Sequence, residues 1–208
     1  TDADVTIDGG TTALILAAST IDGDLTVRNG NSITDSGTVT VGGSLAATTD
    51  ANNGLINLGT LAVGYGGFIL NTHGTGNATV VNATYIGFQS TTVVGGNLSA
   101  TATRGSIRDW GGTITVAGTS SFTTSASNNN SYIDLDTTTN AFTGAVTLNT
   151  TGSSGHASID NGTTALNIAA SSVGGNLTLT SGHASGITDS GTVTVGGNFA
   201  AITDANNG

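Results

Sequence analysis

The chain of 208 residues has no cysteine, no proline and no methionine. Its acidic residues are all aspartate and its only bases are Arg28, Arg104 and Arg108, so lysine and glutamate are missing too. The absence of cysteine excludes a disulfide framework and a thiolate metal site. The scarcity of bases, with a formal net charge of −10, excludes the clustered cations that a nucleic-acid surface needs to neutralise phosphates. No apolar run approaches the roughly 18–20 residues that span a bilayer as a helix, so no membrane insertion of this segment is expected. The first residues do not read as a signal peptide. Helix formers are few apart from Ala and Leu. The chain is instead rich in Thr, Gly, Ala, Ser and Asn, with Val and Ile, which suit pleated strands and tight turns.

The strongest signal is self-similarity. Residues 33–54, ITDSGTVTVGGSLAATTDANNG, return as residues 187–208, ITDSGTVTVGGNFAAITDANNG. A weaker copy lies between them. Ile107-Arg108-Asp109-Trp110-Gly111 overlays Ile33-Thr34-Asp35-Ser36-Gly37, and residues 121–135 overlay 44–58 at a shift of 77. Residues 78–98 overlay 157–177 at a shift of 79. A repeat of this length in a strand-rich chain means a stacked, quasi-one-dimensional architecture. The phase set by the apolar anchors gives one continuous solenoid over 1–208, with repeats at 1–23 (partial), 24–96, 97–175 and 176–208 (partial).

Two-residue alternation marks the strands. In Thr38-Val39-Thr40-Val41, Thr113-Ile114-Thr115-Val116 and Thr192-Val193-Thr194-Val195, the apolar residues fall on one side. Glycine corners follow or recur at Gly42-Gly43, Gly95-Gly96, Gly174-Gly175 and Gly196-Gly197. Apolar anchors come next: Leu25, Leu45, Leu98, Phe122, Leu148, Leu177 and Phe199, which with Val39, Val41, Val193 and Val195 make the expected core. Val27, Ile33, Ile56 and Leu58 belong to the same inward set. The anchor spacing predicts an all-β, parallel β-helix of about eight coils, three to each repeat of about 75 residues. Residues 30–32 and 182–186 differ in length between copies, so an insertion is expected between strands there. Residues 64–90, with Tyr65, Phe68, Tyr85 and Phe88, are the expected place for a bulged or longer coil. The chain opens and closes in mid-pattern and reads as a segment of a longer array.

The candidate chemistry is sparse. Asp22/Asp24 and Asp134/Asp136 have the i, i+2 spacing found in calcium loops and in carbohydrate-cleaving β-helices, but lack the further oxygens calcium requires. In the matching copy Asp22, Asp24 and Arg28 become Gly174, Asn176 and Thr180, so a surface ion pair between Asp24 and Arg28 is the expectation. Asp35, Asp109 and Asp189 recur in the I-x-D-x-G corner, where a short acceptor serves a turn and a repeated residue is a poor catalyst. His73, His156 and His183 are too far apart in sequence to form a metal-ligand motif. The sequence therefore gives no catalytic residue, no metal site and no cofactor. One local departure stands out: Arg104, Arg108 and Trp110 form a candidate interaction patch, in which Trp110 could stack on a sugar or pack against an arginine over the corner.

Residues 144–197, GAVTLNTTGSSGHASIDNGTTALNIAASSVGGNLTLTSGHASGITDSGTVTVGG, carry the signatures V-G-G-N-L-T-L-T, I-T-D-S-G and T-V-T-V-G-G. The stretch resembles the repeats of giant bacterial surface adhesins and filamentous-haemagglutinin-like exoproteins. That resemblance implies a right-handed parallel β-helix, export to the bacterial cell surface, and a non-catalytic role as an extracellular stalk, filament or adhesive fibre. The implied partners are further repeats or copies of itself, end to end, and cell-surface glycans or other cells. The alternative is a β-helical polysaccharide-binding or polysaccharide-cleaving protein.

Overall fold

The computed structural model describes residues 3–64, 66–125 and 130–203. Among these the chain forms short strands and no helix, and every strand pairing is parallel. The fold is an all-β parallel solenoid of about nine coils. At about 4.8 Å per coil the stack rises roughly 43 Å.

Each coil visits three faces in turn. The first face stacks Val5–Asp8, Leu25–Asn29, Leu45–Asn52, Phe68–His73, Thr92–Val94, Ile114–Val116 and Ala141–Phe142. The second runs through Leu14–Leu16, Ile33–Asp35, Ile56–Val63, Ala78–Asn82, Leu98–Ala102, Ser120–Thr124 and Val146–Asn149. The third stacks Ile86–Gly87, Ile107–Arg108, Ile133–Leu135, Ala157–Asp160, Leu177–Ser181 and Phe199–Thr203. In the first coils the third side is taken by Ser19–Ile21 and Val39–Val41, on which the far half of Ile56–Val63 is laid.

The repeat does not close on a whole number of coils. Leu45, Phe122 and Phe199 are equivalent residues, 77 apart, yet they stand on the first, second and third faces respectively. Leu25, Leu98 and Leu177 follow the same progression. Each repeat therefore climbs about three and a third coils and turns by about 120°. The expectation of eight coils, three to a repeat, is corrected to nine and to three and a third. Anchor spacing overstates the coil because the series changes face twice, from the first to the second between Phe68 and Leu98 and from the second to the third between Leu148 and Leu177, and each change adds part of a coil. Ladder register gives the true step, from nineteen residues (Leu14 to Ile33) to twenty-six (Ile107 to Ile133).

The longest step therefore falls after Ile107 and not within 64–90. That stretch keeps a 22-residue step from Ile56 to Ala78 with a register shift between Val80 and Asn82. A second shift lies outside it, between Thr48 and Asn52. Tyr65 is outside the described residues. The length difference at 30–32 and 182–186 does fall between strands, after Asn29 and Ser181.

Alternation places the apolar set inside. Leu25, Val27, Ile33, Val39, Val41, Leu45, Ile56, Leu58, Leu98, Phe122, Leu148 and Leu177 are buried. Burying each such side chain contributes about 1.5–3 kcal/mol. Phe122 meets Phe142 edge-on with centroids 5.6 Å apart. Val193 and Val195 pack half-buried in the last described coil, and Phe199 there is 57% exposed.

Asparagines fix the corners from within, a role the sequence reading did not single out. Asn161 is fully buried. Its Oδ1 accepts from the Phe142 N–H at 2.6 Å, and its Nδ2 donates to the carbonyls of Phe142, Thr164 and Ala165. Asn82 does the same beneath Val63 and Tyr85. Such corners hold because a buried polar group left unpaired costs about 1–3 kcal/mol.

Val116 is fully buried and its neighbour Thr115 faces outward. Val116→Asp should cost several kcal/mol in chemical denaturation because it buries an unpaired charge, while Thr115→Asp should cost under about 1 kcal/mol. Equal losses would contradict the inward and outward assignment.

Candidate interaction face

The corner entering each anchor strand is closed by a ladder of side-chain acceptors. Asp4 Oδ1 accepts the Asp24 N–H at 2.9 Å, and Asp24 Oδ1 accepts the Ser44 N–H at 2.7 Å. On the second face Asn77 accepts from Asn97, and Asn97 from Thr119, each at 2.8 Å. On the third face His156 Nδ1 accepts from Asn176, and Asn176 from Asn198, again at 2.8 Å. The exchange of Asp24 for Asn176 between copies thus keeps the acceptor oxygen and dispenses with the charge. The expected Asp24–Arg28 pair is not formed. Arg28 Nε instead donates to Asp50 Oδ2 at 2.6 Å, one coil further on. Asp24 is held at the corner, while Asp50 lies on the strand stacked on that of Arg28.

The glycines at these corners permit close stacking. A Cβ on Gly42 would collide with the Asp22 carbonyl oxygen, and one on Gly43 with the Asp24 carboxylate. Gly95, Gly96, Gly174, Gly175, Gly196 and Gly197 are crowded in the same way by the coil beneath.

The I-x-D-x-G aspartates reach one coil onward. Asp35 accepts from the N–H groups of Gly59 (2.9 Å) and Thr60 (2.7 Å) and from the Thr60 hydroxyl. Partial burial pushes Asp35 up, but these hydrogen bonds together outweigh it, and its carboxyl is held below the usual range. Asp109 is 3% exposed and accepts from the Thr137 N–H (2.9 Å) and Asn140 Nδ2 (2.7 Å). Burial dominates there and raises Asp109 despite those bonds. Asp134 is also raised, first by burial, then by Asp136 and Asp109, with Arg108 opposing. Asp189 is exposed in the last described coil.

The histidines stay apart. His73 Nδ1 lies 2.8 Å from the Thr49 carbonyl oxygen, His156 serves the acceptor ladder, and His183 Nδ1 accepts from Ser185. Among the described residues no group of three metal-ligating side chains converges.

The patch around Trp110 is larger than the sequence showed. Two outward columns run up the third face. One is Tyr85, Ser106, Tyr132 and His156; the other is Gly87, Arg108, Asp134 and Ser158. Trp110 lies over Gly87, where a Cβ would come within 2.5 Å of the indole. Its ring tilts against Tyr85 at a centroid distance of 5.3 Å. The Arg108 guanidinium sits 4.6 Å above the Tyr132 ring, so the arginine stacks on a tyrosine one coil away and not on Trp110. Arg104 is exposed in the preceding turn. Tyr85 and Tyr132 were missed as partners because they come from different coils, and only the ladder register aligns them.

The opposite shifts of Asp35 and Asp109 predict opposite pH behaviour. Asp35, depressed when folded, contributes stability present above its unfolded pKa and lost as pH falls through its folded value. Asp35→Asn should therefore cost more at pH 7 than at pH 3 in urea denaturation. Asp109, raised when folded, is destabilising once pH rises through its folded value. Wild type should gain on Asp109→Asn as pH falls from 7 towards the usual carboxylate range. The same sign for both variants would contradict these environments.

A family pattern described as repeats of unknown function, DUF5649, matches residues 2–62, 75–149 and 154–208. The three matches begin just before Val5–Asp8, Ala78–Asn82 and Ala157–Asp160, that is, on the first, second and third faces. Each begins one coil before the boundary set by the anchors at 24, 97 and 176. No curated protein and no solved structure matches the chain. With three matches spread over most of its length, the chain belongs to the DUF5649 repeat family.

Proposed function

We propose that this β-solenoid is a non-catalytic segment of an extracellular fibre or stalk on a bacterial surface, adhesive in use and working without a cofactor. The observation that carries the reading is the screw relation of the repeats. A unit that climbs three and a third coils and turns by a third can be added indefinitely without changing the cross-section, which suits length and not a single reactive cleft. The partners in this reading are further repeats or a second copy, end to end. Ile187, Val193 and Val195 are only half-buried in the last described coil, and Phe199 lines an open apolar hollow with Ile168 and Leu179. Residues 204–208, also expected to pair onward, lie outside the described set. The acidic surface and the scarcity of bases argue against a nucleic-acid partner. No helix of the described residues is long and apolar enough to cross a membrane.

The polysaccharide-cleaving alternative draws on the raised carboxyls of Asp109 and Asp134. Against it, the Oδ2 of the buried Asp109 takes hydrogen bonds from Thr137 and Asn140.

Electron microscopy of the native protein should show thin unbranched fibres or stalks, each far longer than the roughly 43 Å of nine coils. A compact monomeric particle would contradict the fibre. Glycan cleavage abolished by Asp134→Asn would replace it with the enzyme.

A further inference from the structure

Apart from Phe199 in the last described coil, the aromatic side chains that reach the surface are gathered in one place. Among the described residues, the tryptophan and both tyrosines, Trp110, Tyr85 and Tyr132, stand on the third face within three consecutive coils. The outward positions of the first two faces at the same height carry Ile69, Asn71 and His73 and otherwise Thr, Ser and Val, with no Tyr or Trp among them. The cluster is held open for contact. Trp110 is 42% exposed and is tilted on Tyr85, and Arg108 flattens over Tyr132. Shallow hollows lie on either side of Arg108 and Asp134, one against Tyr85 and Trp110, the other against Tyr132 and His156.

A second observation sets Trp110 apart from its repeat mates. Its φ is +28°, and among the described non-glycine residues only Asn53 shares a positive value. Ser36 and Ser190, at the same point of the I-x-D-x-G corner, keep ordinary backbone. A bulky residue in that region is strained, and such strain persists only where the surrounding structure holds it in place. With this backbone the indole lies over Gly87, the one position of its column with no side chain to displace it.

We propose that this strip is a binding site for a neutral oligosaccharide lying along the solenoid axis, with Trp110 as the stacking platform and with Asp134 and Arg108, the latter held over Tyr132, as hydrogen-bonding partners. Three features favour a sugar chain. Side chains that repeat about every 4.8 Å along the stack are spaced close to the advance of a pyranose chain, so successive sugars can meet Trp110, Arg108 and Asp134 in turn. The charges that reach solvent along the strip, Arg104 and Arg108 against Asp134 and Asp136, are balanced, with Asp109 buried and hydrogen-bonded behind them, which suits an uncharged ligand better than a polyanion or a quaternary ammonium. The remaining large apolar side chains exposed among the described residues, Ile15, Leu55, Val93, Phe199 and Ile202, lie away from it. The strip therefore lacks the apolar core that a protein interface of about 800 Å² per partner would need.

The inference deepens the adhesive part of the proposed function. The fibre itself is tested by imaging, so either can fail alone. The chain has a single tryptophan, so its emission reports directly on the site. Titration of the full chain with cellohexaose, chitohexaose and maltohexaose should give a saturable change in that emission for at least one of them. The corresponding monosaccharide should bind about tenfold or more weakly. By calorimetry Trp110→Ala should abolish binding, and Arg108→Ala should weaken it about tenfold, with melting temperatures of both variants close to wild type. No saturable change with any hexasaccharide would overturn the proposal, as would binding that survives Trp110→Ala. Emission that shifts with protein concentration alone would assign the strip to a second copy of the chain and overturn it too.

Discussion

Everything in this structure depends on one constraint: each coil must return so that its backbone N–H groups meet the carbonyls of the coil below. With strands of two to eight residues, no single strand is stable alone, and the parallel ladder exists only because the ladders on all three faces are satisfied together. The corners carry the burden of that register. Glycines such as Gly42 and Gly43 let backbones approach where a methyl group would collide, and side-chain acceptors take the N–H groups that the strands leave unpaired. Buried asparagines, Asn161 and Asn82 among them, then tie corner to corner through the core.

The same constraint explains why charge is interchangeable at some positions and not others. The acceptor at the ladder corner is Asp24 in one copy, Asn97 in the next and Asn176 in the third, because an oxygen in the right place is what the next N–H requires. The aspartate of the I-x-D-x-G corner is less replaceable. Asp35 takes two N–H groups and a hydroxyl, a set that an amide oxygen serves poorly. The proposed binding strip sits where a copy breaks its own rule: Trp110 stands in the place of a serine, with a strained backbone, on a face where Tyr85 and Tyr132 already lie.

Much of the architecture was legible in the sequence because a period of two with glycine corners admits little else. Val39, Val41 and Leu45 were placed inside by alternation alone, whereas their mates in the last described coil, Val193, Val195 and Phe199, are half-buried or exposed. The screw was not legible, because similarity shows which residues are equivalent and not how many coils separate them. Leu45 and Phe122 look identical in role, yet stand on different faces. Contacts between coils were hidden for the same reason. Arg28 was assigned to Asp24 on its own coil when its partner, Asp50, comes from the next one. Trp110 was found as an anomaly, but its neighbours Tyr85 and Tyr132 lie a coil or more away along the stack.

The central claim is that a coil holds about 22 residues, so that repeats advance by three and a third coils. Since the chain has no cysteine, pyrene labels on introduced cysteine pairs report neighbours without interference. Val93 and Thr115 face each other in register, and Ser99 faces Ser121 and not Ser125. Pyrenes at positions 93 and 115 should give excimer emission, while pyrenes at 99 and 125 should emit only as monomers. Excimer emission from the second pair and not the first would mean coils of about 26 residues, three to a repeat, and would contradict the account.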